Sequence, residues 1–181
     1  MAKTDLRSFF VLLLLAALLA TLALVVRSGL VSRRNPGEPI NAAMREAVEP
    51  EAYQLTAEEE HILTTKFPDA KTTASGLRYL VRRPGTGAPP QFGQTVTTNY
   101  EGRLLDGTKF DASADHGGPL SFPVGTGKVI PGWDEALLTM RKGEQRTLII
   151  PQWLGYGIYG RAPTIPPRAT LVFEIELLDI K

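Results

Sequence analysis

Apolar positions fall into three regimes along the chain. The first is a continuous run from Phe9 to Val26, broken only by the polar Thr21. As a helix this run would rise about 27 Å, close to the ~30 Å hydrocarbon core of a bilayer. Lys3 and Arg7 precede it, and Arg27, Arg33 and Arg34 follow. Two fates fit residues 1–34: an uncleaved signal anchor, or a removed signal peptide for which Val26-Arg27-Ser28 is a weak cleavage site. Basic residues at both ends leave orientation open by the positive-inside rule. A short basic tail before a large domain favours an inward N-terminus and an exported, periplasmic domain.

The second regime, residues 35–74, alternates breakers with one helical signal. Asn35-Pro36-Gly37-Glu38-Pro39 is turn-rich. Thr56 and Glu59 have capping-box spacing, which predicts a helix of about ten residues to Lys66, ended by Phe67-Pro68-Asp69. Ile62, Leu63 and Phe67 offer apolar side chains for docking, and Glu58 to Glu60 read as a solvated face. The segment is predicted to be a linker between membrane and domain.

The third regime, residues 75–181, switches to short alternating runs. Leu77, Tyr79 and Val81 alternate with Arg78, Leu80 and Arg82, and Val96, Thr98 and Tyr100 share a face. Asp106-Gly107 predicts a type I′ hairpin turn into a return strand at Lys109-Phe110-Asp111. Further strands are expected at Leu120 to Val124, at Thr147 to Ile150, and where Phe173, Ile175 and Leu177 oppose Glu174 and Glu176. Between them, Trp133, Ala136, Leu137 and Met140 follow helical spacing. Pro131 suits the first turn of that helix, with Asp134 and Glu135 at its positive end. Arg141 and Lys142 would sit at the negative end, and Gly143 would terminate it. The expected class is α+β, an antiparallel sheet folded over one short helix. Trp133 is then either a buried anchor or the floor of a pocket with Val129 and Ile130 at its mouth.

Charge and composition narrow the chemistry. The formal net charge is +1, with no basic stripe of interleaved aromatics, so a nucleic-acid partner is not expected. The absence of cysteine removes thiolate metal sites, disulfides and thiol catalysis. His61 and His116 stand outside metal-ligand spacing, and each is read as solvated or locally hydrogen-bonded. Gly125-Thr126-Gly127-Lys128 lacks the glycines of a phosphate or dinucleotide loop and is read as a turn. Ser113, Asp115 and His116 do not make a triad, and no nucleophile elbow occurs. Chemistry without a covalent step, or plain binding, remains. No metal or cofactor is called for. Tyr100, Phe110, Val129, Ile130, Trp133, Tyr156, Ile165 and Phe173 lie at strand ends and in loops. A concave apolar site built from them would take a ring-shaped apolar group such as prolyl.

Five ordered blocks give the chain a resemblance: Thr98-Asn99-Tyr100-Glu101-Gly102, Asp106 through Ser113, Val129-Ile130-Pro131-Gly132-Trp133, Tyr156-Gly157, and Ile165-Pro166-Pro167 to Glu174. Over residues 75–181 it resembles the FKBP-type peptidyl-prolyl cis–trans isomerases, and Ala74-Ser75-Gly76-Leu77 is similar to the exported Mip-like bacterial branch. The resemblance implies five or six antiparallel strands around the central helix, with a prolyl pocket between. It implies Trp133 as the pocket floor, and Tyr100, Phe110, Val129, Ile130 and Phe173 as walls. The Ile130 N–H and the Tyr156 hydroxyl would donate to substrate carbonyls, with Asp111 ionised at the rim. Leu120 and Ile165 would complete the substrate contacts. Leu120 stands where a larger aromatic is frequent, and Arg161 and Thr164 depart from the familiar loop residues. The implied ligands are proline-containing polypeptides and macrolide inhibitors. A binding module that holds such segments with little turnover is the competing expectation.

Overall fold

The computed structural model describes residues 53–181; the apolar run at Phe9 to Val26 and the breaker at Asn35 to Pro39 lie outside them. Among the described residues no helix is long and apolar enough to cross a membrane.

The capping signal at Thr56 forms as its spacing dictates. Helix α1, Ala57–Lys66, starts with Thr56 Oγ1 accepting the Glu59 N–H at 3.1 Å, and Glu59 Oε2 accepts the Thr56 N–H at 2.9 Å. Phe67 closes the helix by donating its N–H to Leu63 O. Leu63 is buried. The acidic run is only partly solvated, contrary to expectation. Thr170 Oγ1 donates to Glu59 Oε1 at 2.7 Å, and Arg78 Nη2 to Glu60 Oε1 at 2.5 Å, so two of the three glutamates bind the helix to the strands. Their partners lie 111 and 18 residues away, beyond the reach of any local pattern.

The sheet is antiparallel and has seven strands, against the five or six expected. They are β1 (Lys71–Thr72), β2 (Arg78–Arg83), β3 (Thr95–Leu104), β4 (Lys109–Ala112), β5 (Leu120–Pro123), β6 (Gln145–Ile150) and β7 (Leu171–Ile180). The order is β1-β2-β6-β7-β3-β4, with β5 also on β3. Two details raise the count. Strand β1 is a two-residue pairing on β2, too short to show periodicity. Strands β4 and β5 share one edge of β3, β5 along Thr95 to Thr98 and β4 along Glu101 to Arg103. In the centre, β3 and β7 pair with Tyr100 opposite Ile175 and Gly102 opposite Phe173. Phe173, Ile175 and Leu177 are buried, as their alternation predicts. Val81 is not; it is 45% exposed at the far end of β2, whereas Leu77 and Tyr79 of the same face reach the core.

The β3–β4 turn differs from the type I′ expected. That turn needs two residues at positive φ, and only Gly107, at +93°, has it. Gly107 N–H donates to Leu104 O and Leu104 N–H to Thr108 O, the pattern of a three-residue loop with glycine in the left-handed position. The Asp106 carboxylate accepts the Thr108 N–H at 2.8 Å, which holds its pKa below the ordinary carboxylate value.

Helix α2, Pro131–Leu137, is shorter than predicted. The apolar stripe holds, since Trp133, Ala136, Leu137 and Met140 are all buried, but Met140 lies beyond the helix. After Leu137 the chain tightens through Thr139 N–H to Ala136 O and Met140 N–H to Leu137 O. Arg141, Lys142 and Gly143 therefore do not cap it. Gly143, at φ +80°, instead turns the chain into β6. Arg146 takes over at the helix end. Its guanidinium donates to Thr139 Oγ1 at 2.8 Å and Thr139 O at 3.1 Å, stacks 4.7 Å from the Tyr79 ring centre, and pairs with Glu144 at 2.6 Å. Both members of this ion pair are buried. Glycine allows α2 to lie close on the sheet: a Cβ at Gly132 would come within 2.7 Å of Ile150 Cγ2.

Candidate functional site

The space between α2 and the sheet is closed by aromatic rings. Trp133 enters from the first turn of α2, which begins at Pro131 because a missing N–H costs nothing there. Tyr100 comes from β3, Phe110 from β4 and Phe173 from β7. Their rings meet edge to face: Tyr100 to Trp133 at 4.9 Å, Trp133 to Phe173 at 5.2 Å and Phe110 to Phe173 at 5.4 Å between centres. Gly102 makes this cluster possible. A Cβ there would fall 2.6 Å from Phe110 and 2.7 Å from Phe173 ring atoms.

These rings line a hollow of about 210 Å³ together with Asp111, Leu120, Lys128, Val129, Ile130, Tyr156 and Arg161. That is below the ~300–1,000 Å³ that drug-sized ligands occupy, and suits a single small ring. Nine of the ten residues singled out from the sequence therefore share one cavity. Ile165 does not line it. Its side chain is 3% exposed in the core, and it borders a second hollow of about 400 Å³ with Phe110, Asp111, Tyr156 and Arg161.

Polar groups at this hollow are few. Asp111 Oδ2 accepts the Tyr100 hydroxyl at 2.9 Å, and Asp111 Oδ1 lies 2.6 Å from His116 Nε2. Burial works to raise the Asp111 pKa, but the hydrogen bonds from His116 and Tyr100 outweigh it and hold the carboxyl below its ordinary range. Burial, reinforced by the Asp111 carboxylate it donates to, pushes the Tyr100 phenol well above its ordinary value. Ser113 Oγ accepts the Tyr100 N–H at 3.1 Å and so ties the turn carrying His116 to β3. Two donors at the hollow, the Ile130 N–H and the Tyr156 hydroxyl, make no hydrogen bond among the described residues. Trp133 Nε1, buried beneath, also finds none among them.

Asp134 shapes the approach. Its carboxylate accepts the Gly125 and Gly127 N–H groups, each at 2.8 Å, so the Gly-Thr-Gly segment is the turn expected and leads straight to Val129 and Ile130. Three neighbours were missed or undervalued in the sequence. His116 is the local hydrogen-bonder predicted, but its partner is the pocket carboxylate; its nearness to Asp111 in sequence was the available signal. Lys128 and Arg161 sit in loops, where no periodicity marks a pocket-lining side chain.

The antiparallel sheet closes over one short helix, with an aromatic cup between them and, at its rim, two donors without a hydrogen bond among the described residues. A model of the FKBP-type peptidyl-prolyl cis-trans isomerase family matches residues 87–178, and the chain belongs to that family. Over 154 residues it is 42% identical to the FKBP-type 22 kDa peptidyl-prolyl cis-trans isomerase of Escherichia coli K12, covering 80% of this chain and 74% of that protein. It is 46% identical over 110 residues to the probable FKBP-type isomerase FkpA of Neisseria meningitidis serogroup B, covering 61% of this chain. Only 40% of that protein, and 42% of FkpA of Escherichia coli K12, falls within the match, so this chain spans less than half of those two relatives. The crystal structure of AtFKBP13 superposes with a TM-score of 0.61 at 35% identity, over 62% of this chain and 99% of that one.

Proposed function

We propose that this chain is a peptidyl-prolyl cis–trans isomerase that speeds the folding of exported proteins. The observation that carries this reading is the shared aromatic cup of Tyr100, Phe110, Trp133 and Phe173. Rotation about an amide bond faces a barrier of ~18–20 kcal/mol because resonance makes the bond partly double. Uncatalysed X-Pro isomerisation takes tens to hundreds of seconds. In the twisted transition state the nitrogen leaves conjugation and the carbonyl loses polarity. Water favours the planar, polar form; a dry cup favours the twisted one, and that difference is catalysis. Trp133 is the floor, and Tyr100, Phe110, Val129, Ile130, Leu120 and Phe173 are the walls. The free Ile130 N–H and Tyr156 hydroxyl orient the carbonyls on either side of the prolyl nitrogen. Asp111 fixes Tyr100 and keeps the rim polar. No proton moves, so neither an acid–base pair nor a cofactor enters.

Turnover of an X-Pro peptide, followed by exchange NMR, tests this. Phe110 is only half-buried, so Phe110→Ala is expected to fold while losing at least about tenfold in kcat/KM, the equivalent of ~1.4 kcal/mol. Full turnover by that folded variant would remove the pocket from the mechanism. The same cup is proposed to take macrolide inhibitors, with Leu120 supplying less wall than a large aromatic would; a fluorescence titration of Trp133 reads this out.

We further propose that the domain stands on the exported side of a membrane, supported by the apolar run Phe9 to Val26 and its basic flanks. Intact-mass measurement of the extracted protein separates a retained anchor from a removed signal peptide.

A further inference from the structure

Four charged or titratable side chains other than tyrosine line the two adjoining hollows: Asp111, His116, Lys128 and Arg161. Asp111 is the one carboxylate, and both its oxygens are engaged, by Tyr100 and by His116. Neighbouring Asp115 is paired with Lys109, and Asp134 with two backbone N–H groups. Lys128 and Arg161, by contrast, have no carboxylate partner among the described residues. Arg161 is nevertheless held in place. Its N–H donates to Ile165 O at 2.8 Å and its carbonyl accepts the Ile165 N–H at 2.9 Å. Ile165 is buried, so the loop is pinned at this point, and the Arg161 guanidinium lies 5.9 Å from the Tyr156 ring centre. Lys128 stands two residues before Ile130, on the other donor's side of the cup. Two cations without a carboxylate partner thus flank the aromatic hollow, each beside one of the two donors that make no hydrogen bond among the described residues, while the one carboxylate there, Asp111, is already engaged.

We propose that Arg161 and Lys128 give the site a preference for prolines that have an aspartate or glutamate as an immediate neighbour. The proposal rests on the isomerase reading and names the substrate class it acts on. A planar guanidinium can take a carboxylate through two parallel hydrogen bonds, and the lysine acts as a point charge. Both are exposed, so each is expected to contribute about 1.5- to fivefold in kcat/KM.

The test uses the full chain and two peptide series, with Glu, Gln or Lys placed immediately before or immediately after one proline, and a Leu-Pro peptide as reference. Turnover is followed by exchange NMR, without a coupling protease. Glu is expected to exceed Gln, and Gln to exceed Lys, with the spread narrowing at high salt. Arg161→Gln and Lys128→Gln should each lower the Glu-to-Gln ratio, while Arg161→Lys retains most of it. Equal turnover of Glu and Gln peptides, or a ratio unchanged in the double variant, overturns the preference while leaving the isomerase reading intact. Failure to turn over any peptide, Leu-Pro included, overturns the isomerase reading and this inference with it.

Discussion

Tyr156 and Asp111 show how differently two polar residues of one pocket act. The Tyr156 hydroxyl has no partner among the described residues, so Tyr156→Phe removes only what it gives to substrate. The expected loss is about two- to tenfold in kcat/KM, the worth of one neutral hydrogen bond, with unchanged thermal unfolding. Asp111 acts on stability as well. Its folded-state pKa lies below the unfolded value, so its contribution is complete above about pH 4 and disappears as the pH falls through the lower folded value. An Asp111→Asn variant is expected to lose less stability than the parent between pH 4 and pH 2, measured by urea unfolding. Gly102 is a residue of a third kind. Its Cβ would collide with two rings of the cup, so Gly102→Ala should impair turnover more than any other substitution of its size.

Elements differ in how plainly the sequence announces them. Helix α1 is legible because its cap is local: Thr56 and Glu59 are three residues apart and satisfy each other. Replacing Thr56 by Ala is expected to cost about 1 kcal/mol in chemical denaturation. Strand β7 is legible because one of its faces is buried from Leu171 through Leu177. The end of α2 is not, because Met140 stays apolar for the core's sake after the helix has stopped. Nor is the Glu144–Arg146 pair, which reads as ordinary surface charge until Tyr79 and Thr139 close around it. Breaking a buried pair leaves one charge unpaired, so Glu144→Ala is expected to lower stability by about 3–5 kcal/mol. The cup was visible as a list of aromatics, but Tyr100 donating to Asp111 joins two strands and has no signature along the chain.

For the molecule as a whole, the working unit extends upstream of its sheet-rich part. A compact unit spans Pro50–Lys181, and within it α1 is joined to the later chain by buried Leu63, by Glu59 on Thr170 and by Glu60 on Arg78, and β1 by its pairing with β2. A fragment beginning at Ser75 is expected to be less stable than one beginning at Pro50 by about 2 kcal/mol or more, from the burial of Leu63 alone. The central pairing has a consequence for biosynthesis. Strand β3 is flanked on one side along its whole length by β7, whose residues are made some seventy positions later. A nascent chain halted before Leu171 therefore holds an open edge and an unroofed Trp133, and no part of the sheet's middle can close. Emergence of β7, rather than of the earlier strands, becomes the moment at which the sheet closes, and chains arrested before Leu171 should be cut by added protease until that strand is supplied.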